Sequence, residues 1–167
     1  MKIRDLMTKS VASCITETNL AAAGALMWES DCGFLPVVDE MGKVTGVLTD
    51  RDICIALATS DRRASGTMVG DVVKSRAILC DQDDDILVVL KAMQKHRILR
   101  LPVVNKAGLL EGIVSLNDIV LRAAKSAGRM QPEVSVDDVV QTLQTICSQR
   151  SERSHHAAPG RARTAHA

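Results

Sequence analysis

Apolar and polar residues follow one another along this chain in short blocks whose period switches between that of a strand and that of a helix. Residues 10–15 form a β-branched segment that predicts a strand. Residues 19–31 place Leu20, Ala23, Met27 and Trp28 at helical spacing behind polar starters, which predicts a helix with these four on its inner face. Trp28 is accordingly expected in the core. Residues 35–38 and 44–48 are apolar runs of strand length separated by Asp39-Glu40-Met41-Gly42-Lys43, whose glycine suits the positive φ of a hairpin loop. Residues 50–58 read as a second helix. The order strand, helix, strand, strand, helix then recurs at 76–79, 85–96, 101–104, 110–114 and 117–124.

The recurrence is a tandem duplication. An offset of 66 residues carries Leu35-Pro36-Val37-Val38 onto Leu101-Pro102-Val103-Val104 without a gap, and Asp5 onto Asp71, Cys14 onto Cys80, Met27 onto Met93 and Gly46 onto Gly112. A unit of about sixty residues is too small to bury its own sheet face well. The expected fold is therefore α+β, with two β-α-β-β-α repeats over 1–62 and 63–125 packed as one pseudo-twofold pair. Beyond them Gly128 and Pro132 break the pattern, and Val136, Val139, Val140, Leu143, Ile146 and Cys147 stripe an amphipathic helix within 126–150. From 151 to 167 no apolar period survives, which predicts a disordered basic tail.

Composition narrows the function classes. The chain has 167 residues, 46% hydrophobic and 25% charged, an ordinary globular balance. No apolar run approaches the roughly 18 to 20 residues that span a bilayer, and Met1-Lys2-Ile3-Arg4-Asp5 lacks the apolar core of a secretory signal. A cytoplasmic protein without a membrane partner is expected. The five cysteines, Cys14, Cys32, Cys54, Cys80 and Cys147, are odd in number and form no Cys-x-x-Cys pair, so they read as reduced small hydrophobes. The net charge of +1 divides into +3 from Arg150 onward and −2 before it, so the globular part has no basic bias toward nucleic acid. His96 suits the C-terminal end of its helix, and no P-loop, catalytic triad or metal signature is present. Neither a catalytic residue nor a metal site is expected, and the chain does not read as an enzyme.

The candidate chemistry sits in Gly46-Val47-Leu48-Thr49-Asp50-Arg51-Asp52 and its copy Gly112-Ile113-Val114-Ser115-Leu116-Asn117-Asp118. A hydroxyl followed three residues later by an acid is the pattern of a capping box. Ser135 and Asp138 show that spacing without the preceding glycine and strand. Set after a strand, the same residues also suit a nucleoside phosphate, because a helix start offers free N–H groups to an anion and an acid one turn in accepts ribose hydroxyls. Arg51, and Arg97 and Arg100 near the second proline strand, add guanidinium groups suited to phosphate. Cap and ligand site remain alternatives at this level.

The duplicated Leu-Pro-Val-Val, the repeated glycine-to-aspartate segment, the opening Asp-Leu-Met-Thr and the Leu-Thr-Asp-Arg-Asp-Ile string together resemble a CBS-domain pair, or Bateman module, over about residues 1–125. The resemblance implies a disc-like α+β domain, a homodimer, whose clefts bind adenosine-containing ligands: AMP, ADP, ATP or S-adenosylmethionine. It implies a regulatory sensor modulating a partner protein, with a ligand-independent dimerisation or scaffold module as the alternative. Carried over, Thr49 and Asp52 hold one ribose and phosphate, and Ser115 and Asp118 the other. The stretches entering each first strand contribute, here 8–12 with Thr8 and Ala12 and 74–78 with Arg76 and Ile78. So do the segments before the prolines, with Leu35 and Pro36 in one repeat and Arg100, Leu101 and Pro102 in the other. Leu35, Pro36, Leu101 and Pro102 would clamp the adenine, and Arg51 would reach phosphates held by the other repeat. Asn117 stands where the first repeat has Arg51, and Leu116 where it has Asp50, so the two clefts are not equivalent.

Overall fold

The computed structural model describes residues 1–73, 76–126 and 133–156. The first repeat contains helix α1 (Leu20–Glu29), strands β1 (Phe34–Val38) and β2 (Val44–Thr49), and helix α2 (Asp50–Thr59). A short helix α3 (Val69–Val72) links it to β3 (Cys80–Asp81), α4 (Ile86–His96), β4 (Arg100–Val104), β5 (Leu110–Ser115) and α5 (Leu116–Ser126). A long helix α6 (Val136–His156) follows. The mixed α+β architecture and the C-terminal helix match the sequence expectation.

The duplication is visible atom by atom. β1 pairs antiparallel with β2, and β4 with β5, and each hairpin slips register at the same place, between Val37 and Val38 and between Val103 and Val104. The turns close through Gly42 at φ 78° and Gly108 at φ 82°, the left-handed region that a Cβ disfavours. The hairpin tips then bind each other: the Val44 N–H donates to the Gly108 carbonyl at 3.3 Å and the Leu110 N–H to the Gly42 carbonyl at 3.1 Å. These two bonds exchange under the 66-residue offset, so the pseudo-twofold axis passes between them.

Two cores lie either side of that axis, and each borrows a leader from the other repeat's side of the sequence. Ile3 and Met7 are buried with Ile86, Leu90, Met93, Leu101, Val114 and Ile119 of the second repeat. Val69 is buried with Leu20, Met27, Leu35, Val37 and Leu48 of the first. The Thr8 N–H donates to the Ile113 carbonyl, and the Ile113 N–H returns a bond to Thr8, fixing the N-terminal leader across the pair. Gly112 is required there, because a Cβ on it would strike the Thr8 carbonyl.

Four expectations need correction. Residues 10–15 are not a strand: Ser10 takes φ 57°, and only Cys14 bridges β1, its N–H donating to the Pro36 carbonyl while Val38 N–H donates to its own. The strand expected at 76–79 lies instead at Cys80–Asp81, parallel to β4, because the backbone before it borders a cleft and has no ladder partner. Trp28 is 88% exposed rather than in the core, since Ala23 and Met27 take the inward positions of α1. Helix α6 runs six residues past 150, because a nucleated helix propagates cheaply where no proline or glycine stops it. The remainder of the expected tail, 157–167, lies outside the described residues, as do most of the 126–133 break, Lys74 and Ser75.

Helix α6 lies against α4 and α5. Val134 and Val139 enter the second core, and the buried Thr142 hydroxyl accepts from Gln94 Nε2 at 2.7 Å while donating to the Asp138 carbonyl. Nothing described covers the corresponding face of the first repeat, where Trp28 and Ile55 are exposed.

Candidate functional site

The two repeated hydroxyl–acid segments are helix caps. Thr49 is the N-cap of α2: its Oγ accepts from the Asp52 N–H at 3.2 Å, and Asp52 Oδ2 accepts from the Thr49 N–H at 2.9 Å and its hydroxyl at 2.6 Å. Ser115 and Asp118 repeat this at 3.2, 2.8 and 2.6 Å. Ser135 and Asp138, at the start of α6, do so at 3.1, 2.9 and 2.7 Å. In all three, one carboxylate oxygen is taken by the cap and the other accepts no hydrogen bond among the described residues. What differs is the surroundings: the first two caps lie at clefts and the third lies on the α6 packing surface.

The caps at Thr49 and Ser115 each border a cleft built from both repeats. The larger, about 1060 Å³, is lined by Thr49, Asp50 and Arg51 from the first repeat, Arg76, Ala77 and Ile78 from the stretch before β3, and Lys95, His96, Arg97, Arg100 and Pro102 from the second. Phe34, Val47, Ile98, Leu99 and Ile146 of α6 supply its apolar wall. The smaller, about 440 Å³, is lined by Ser115 and Asp118, by Thr8, Ser10, Val11 and Ala12, and by Ser30, Cys32, Phe34, Arg100 and Ile113. These two sets correspond under the 66-residue offset, Val47 to Ile113 and Ile78 to Ala12 among them. The volumes differ because the smaller cleft has no neighbour like α6 to extend its wall.

Of the residues expected at a site, Thr49, Arg51, Arg76, Ile78 and Pro102 line the larger cleft, and Thr8, Ala12, Ser115 and Asp118 the smaller. Arg100 borders both. Asp52 lines neither cleft and is bonded through its cap to Thr49, which lines the larger. Leu35 and Leu101 line neither cleft: both are fully buried, paired with the equally buried Leu48 and Val114 in the strands that face the core. Pro36 is buried and lines neither cleft, and Asn117 is exposed and also lines neither. Arg51 faces the cleft of its own Thr49 rather than the one across the axis.

Lys95, His96 and Ile146 are the residues that motif reading missed, while Phe34, in the segment expected before Pro36, lines both clefts. The first two close α4, whose last turn meets the left-handed Arg97 at φ 55°. No carboxylate lies within ion-pair distance of Arg51, Arg76, Lys95, Arg97 or Arg100 among the described residues, and Asp50, the one acid lining this cleft, accepts from the Arg51 N–H. The larger cleft is thus electropositive. Among the described residues no three His, Cys, Asp or Glu side chains gather as a metal site, and no described helix is long and apolar enough to cross a membrane.

Comparison with known proteins agrees with this geometry. The CBS domain model matches the chain twice, at 3–59 and 69–125. The CBS domain-containing protein YhcV of Bacillus subtilis is 31% identical over 139 residues, covering 82% of this chain and 97% of that one. Hypoxic response protein 1 of Mycobacterium tuberculosis is 30% identical over 145 residues, covering 87% and 93%. A crystal structure of Hypoxic Response Protein I with two coordinated zinc ions superposes with a TM-score of 0.67 at 30% identity over 72% of this chain and 98% of that one. The CBS domain pair of protein MJ0100, solved with 5'-methylthioadenosine and S-adenosyl-L-methionine, gives 0.64 at 26% identity over 72% and 94%. The repeats, their exchanged leaders and these matches lead to one conclusion: the chain belongs to the CBS-domain family and is built as a CBS pair.

Proposed function

We propose that this protein is a non-catalytic regulatory sensor of the cytoplasm that binds an adenine nucleotide between its repeats and thereby alters its contact with a partner protein. The observation that carries the reading is the larger cleft: the start of α2 at Thr49, with Asp52 bonded to it, and a set of cations without carboxylate partners among the described residues, together fitted to ribose and phosphate. The MJ0100 pair, similar at 26% identity, holds two adenosine derivatives, which supports the ligand class. The exposed Trp28 face of α1 and α2 is where a second copy would sit, and closed two-fold symmetry is the commonest arrangement of identical chains.

A thermal-shift screen against AMP, ADP, ATP, NAD and S-adenosylmethionine tests the reading. A melting temperature unmoved by every one of them would leave the second reading, a ligand-independent dimerisation or scaffold module. That alternative is favoured by the identical geometry of the Ser135–Asp138 cap, which serves a helix alone.

A further inference from the structure

The two clefts differ in charge as well as in volume. The larger is bordered by Arg51, Arg76, Lys95, His96, Arg97 and Arg100. At the 66-residue offset the corresponding residues are Asn117, Ser10, Glu29, Ser30, Asp31 and Phe34, so every basic residue is lost and two become acids. The exchange is not a by-product of altered backbone. Arg97 and Asp31 both adopt the left-handed conformation, at φ 55° and 47°, at the end of equivalent helices. The same backbone thus carries Arg97 in one repeat and Asp31 in the other, and of the basic residues only Arg100 also borders the smaller cleft.

We infer that the pair sorts ligands by phosphate number: the larger cleft is a nucleoside polyphosphate site, with Lys95 and Arg97 at the end of α4 forming a subsite for phosphates beyond the first. The inference rests on the nucleotide reading above and narrows it. The cap at Thr49 and Asp52 and the guanidinium of Arg51 suffice for a ribose and one phosphate. Lys95 and Arg97 are exposed, and no carboxylate neutralises them among the described residues. Additional phosphates would meet these charges, and each ammonium or guanidinium adds a charge-assisted bond. A cleft of about 1060 Å³ has room for the longer chain, whereas the 440 Å³ cleft, with Ser30 and Phe34 in place of His96 and Arg100, is smaller and keeps one basic residue, the shared Arg100, facing Asp118.

Calorimetry on the full chain with adenosine, AMP, ADP, ATP and inorganic tripolyphosphate tests this. Affinity is expected to rise with phosphate number, by about tenfold or more from AMP to ATP, and the difference is expected to shrink with added salt. The double variant Lys95→Gln/Arg97→Asn is expected to bring ATP affinity down to that of AMP. Asparagine is chosen because it tolerates the left-handed backbone, and a second variant, Lys95→Glu, tests the same charge with the native turn. Equal affinity for AMP and ATP, or variants that leave the ATP preference intact, would overturn the subsite while the adenine-nucleotide reading stood. Binding of tripolyphosphate without any adenosine compound would retain the anion subsite and remove the nucleotide reading. Binding of none would remove both.

Discussion

At the scale of single residues, three identical caps separate stability from recognition. Asp52, Asp118 and Asp138 each close a helix start with the same bonds, yet only the caps at Thr49 and Ser115 border a cleft. Asp138→Ala is expected to cost about 1 kcal/mol in urea denaturation, the usual worth of a cap, and to leave nucleotide affinity unchanged. Asp52→Ala is expected to cost about the same and also to weaken ATP binding about tenfold, since it removes a charge-assisted acceptor for ribose. Calorimetry showing no loss for Asp52→Ala would reduce the motif to a cap. Burial sets the chemistry of the cysteines in the same way. Burial, followed by the charges of Asp84 and Asp81, pushes the Cys80 thiol up to about 12, and burial pushes Cys14 up to about 11. The thiolate is the nucleophile, so iodoacetamide at pH 8.5 (about the ordinary thiol value) is expected to label the exposed Cys54 and Cys147 and to reach Cys14 and Cys80 only after unfolding. Mass spectrometry of the labelled peptides decides this. Above the ordinary thiol value the unfolded cysteines ionise while the buried pair stays protonated, so stability falls as pH rises from about 9 toward 12.

At the scale of elements, the exchanged leaders bind the repeats into one cooperative unit. The segment before α1 packs on the second core and α3 on the first, so neither repeat is complete without chain from the other side of the axis. Gly112 is the point of closest approach. Gly112→Ala drives a Cβ into the Thr8 carbonyl, and the leader has to shift to relieve it, at an expected cost of about 1 to 3 kcal/mol by analogy with overpacked cores. Hydrogen exchange is expected to rise at the Thr8 and Ile113 amides, which bond each other's backbone. Unchanged protection there would mean that the leader is not held by this contact.

At the scale of the whole molecule, asymmetry matters more than the duplication. Helix α6 covers α4 and α5, while the equivalent face on α1 and α2 carries the 88% exposed Trp28. A homodimer formed through that face is expected to bury the indole, so tryptophan emission should shift to shorter wavelength as concentration rises, and light scattering should give about twice the 18.0 kDa of one chain. Emission and mass that are both independent of concentration, with the mass at one chain, would count against it. A nucleotide bound with micromolar affinity is expected to stabilise the fold by about 4 kcal/mol at roughly 1,000-fold excess, as read by the melting temperature.

The duplication, the two hairpins with their turns at Gly42 and Gly108 and the main helices were legible in the chain itself, because period and turn chemistry are local properties that each segment carries with it, whereas the expected opening strand of each repeat was not borne out. The hydroxyl–acid motif was legible as well, though as two alternatives, since the same spacing makes a cap whether or not a ligand is near. What only the tertiary structure decided depends on contacts between segments distant in sequence. It placed Leu35 and Leu101 in the core through their strand partners and left Trp28 in solvent, because a period shows that a stripe is apolar but not what lies against it. It exchanged the leaders across the axis. It also gathered Lys95, His96 and Arg97 to the cap at Thr49, some 46 to 48 residues earlier. No local pattern joins those positions, because the cleft between them exists only once two repeats pack face to face.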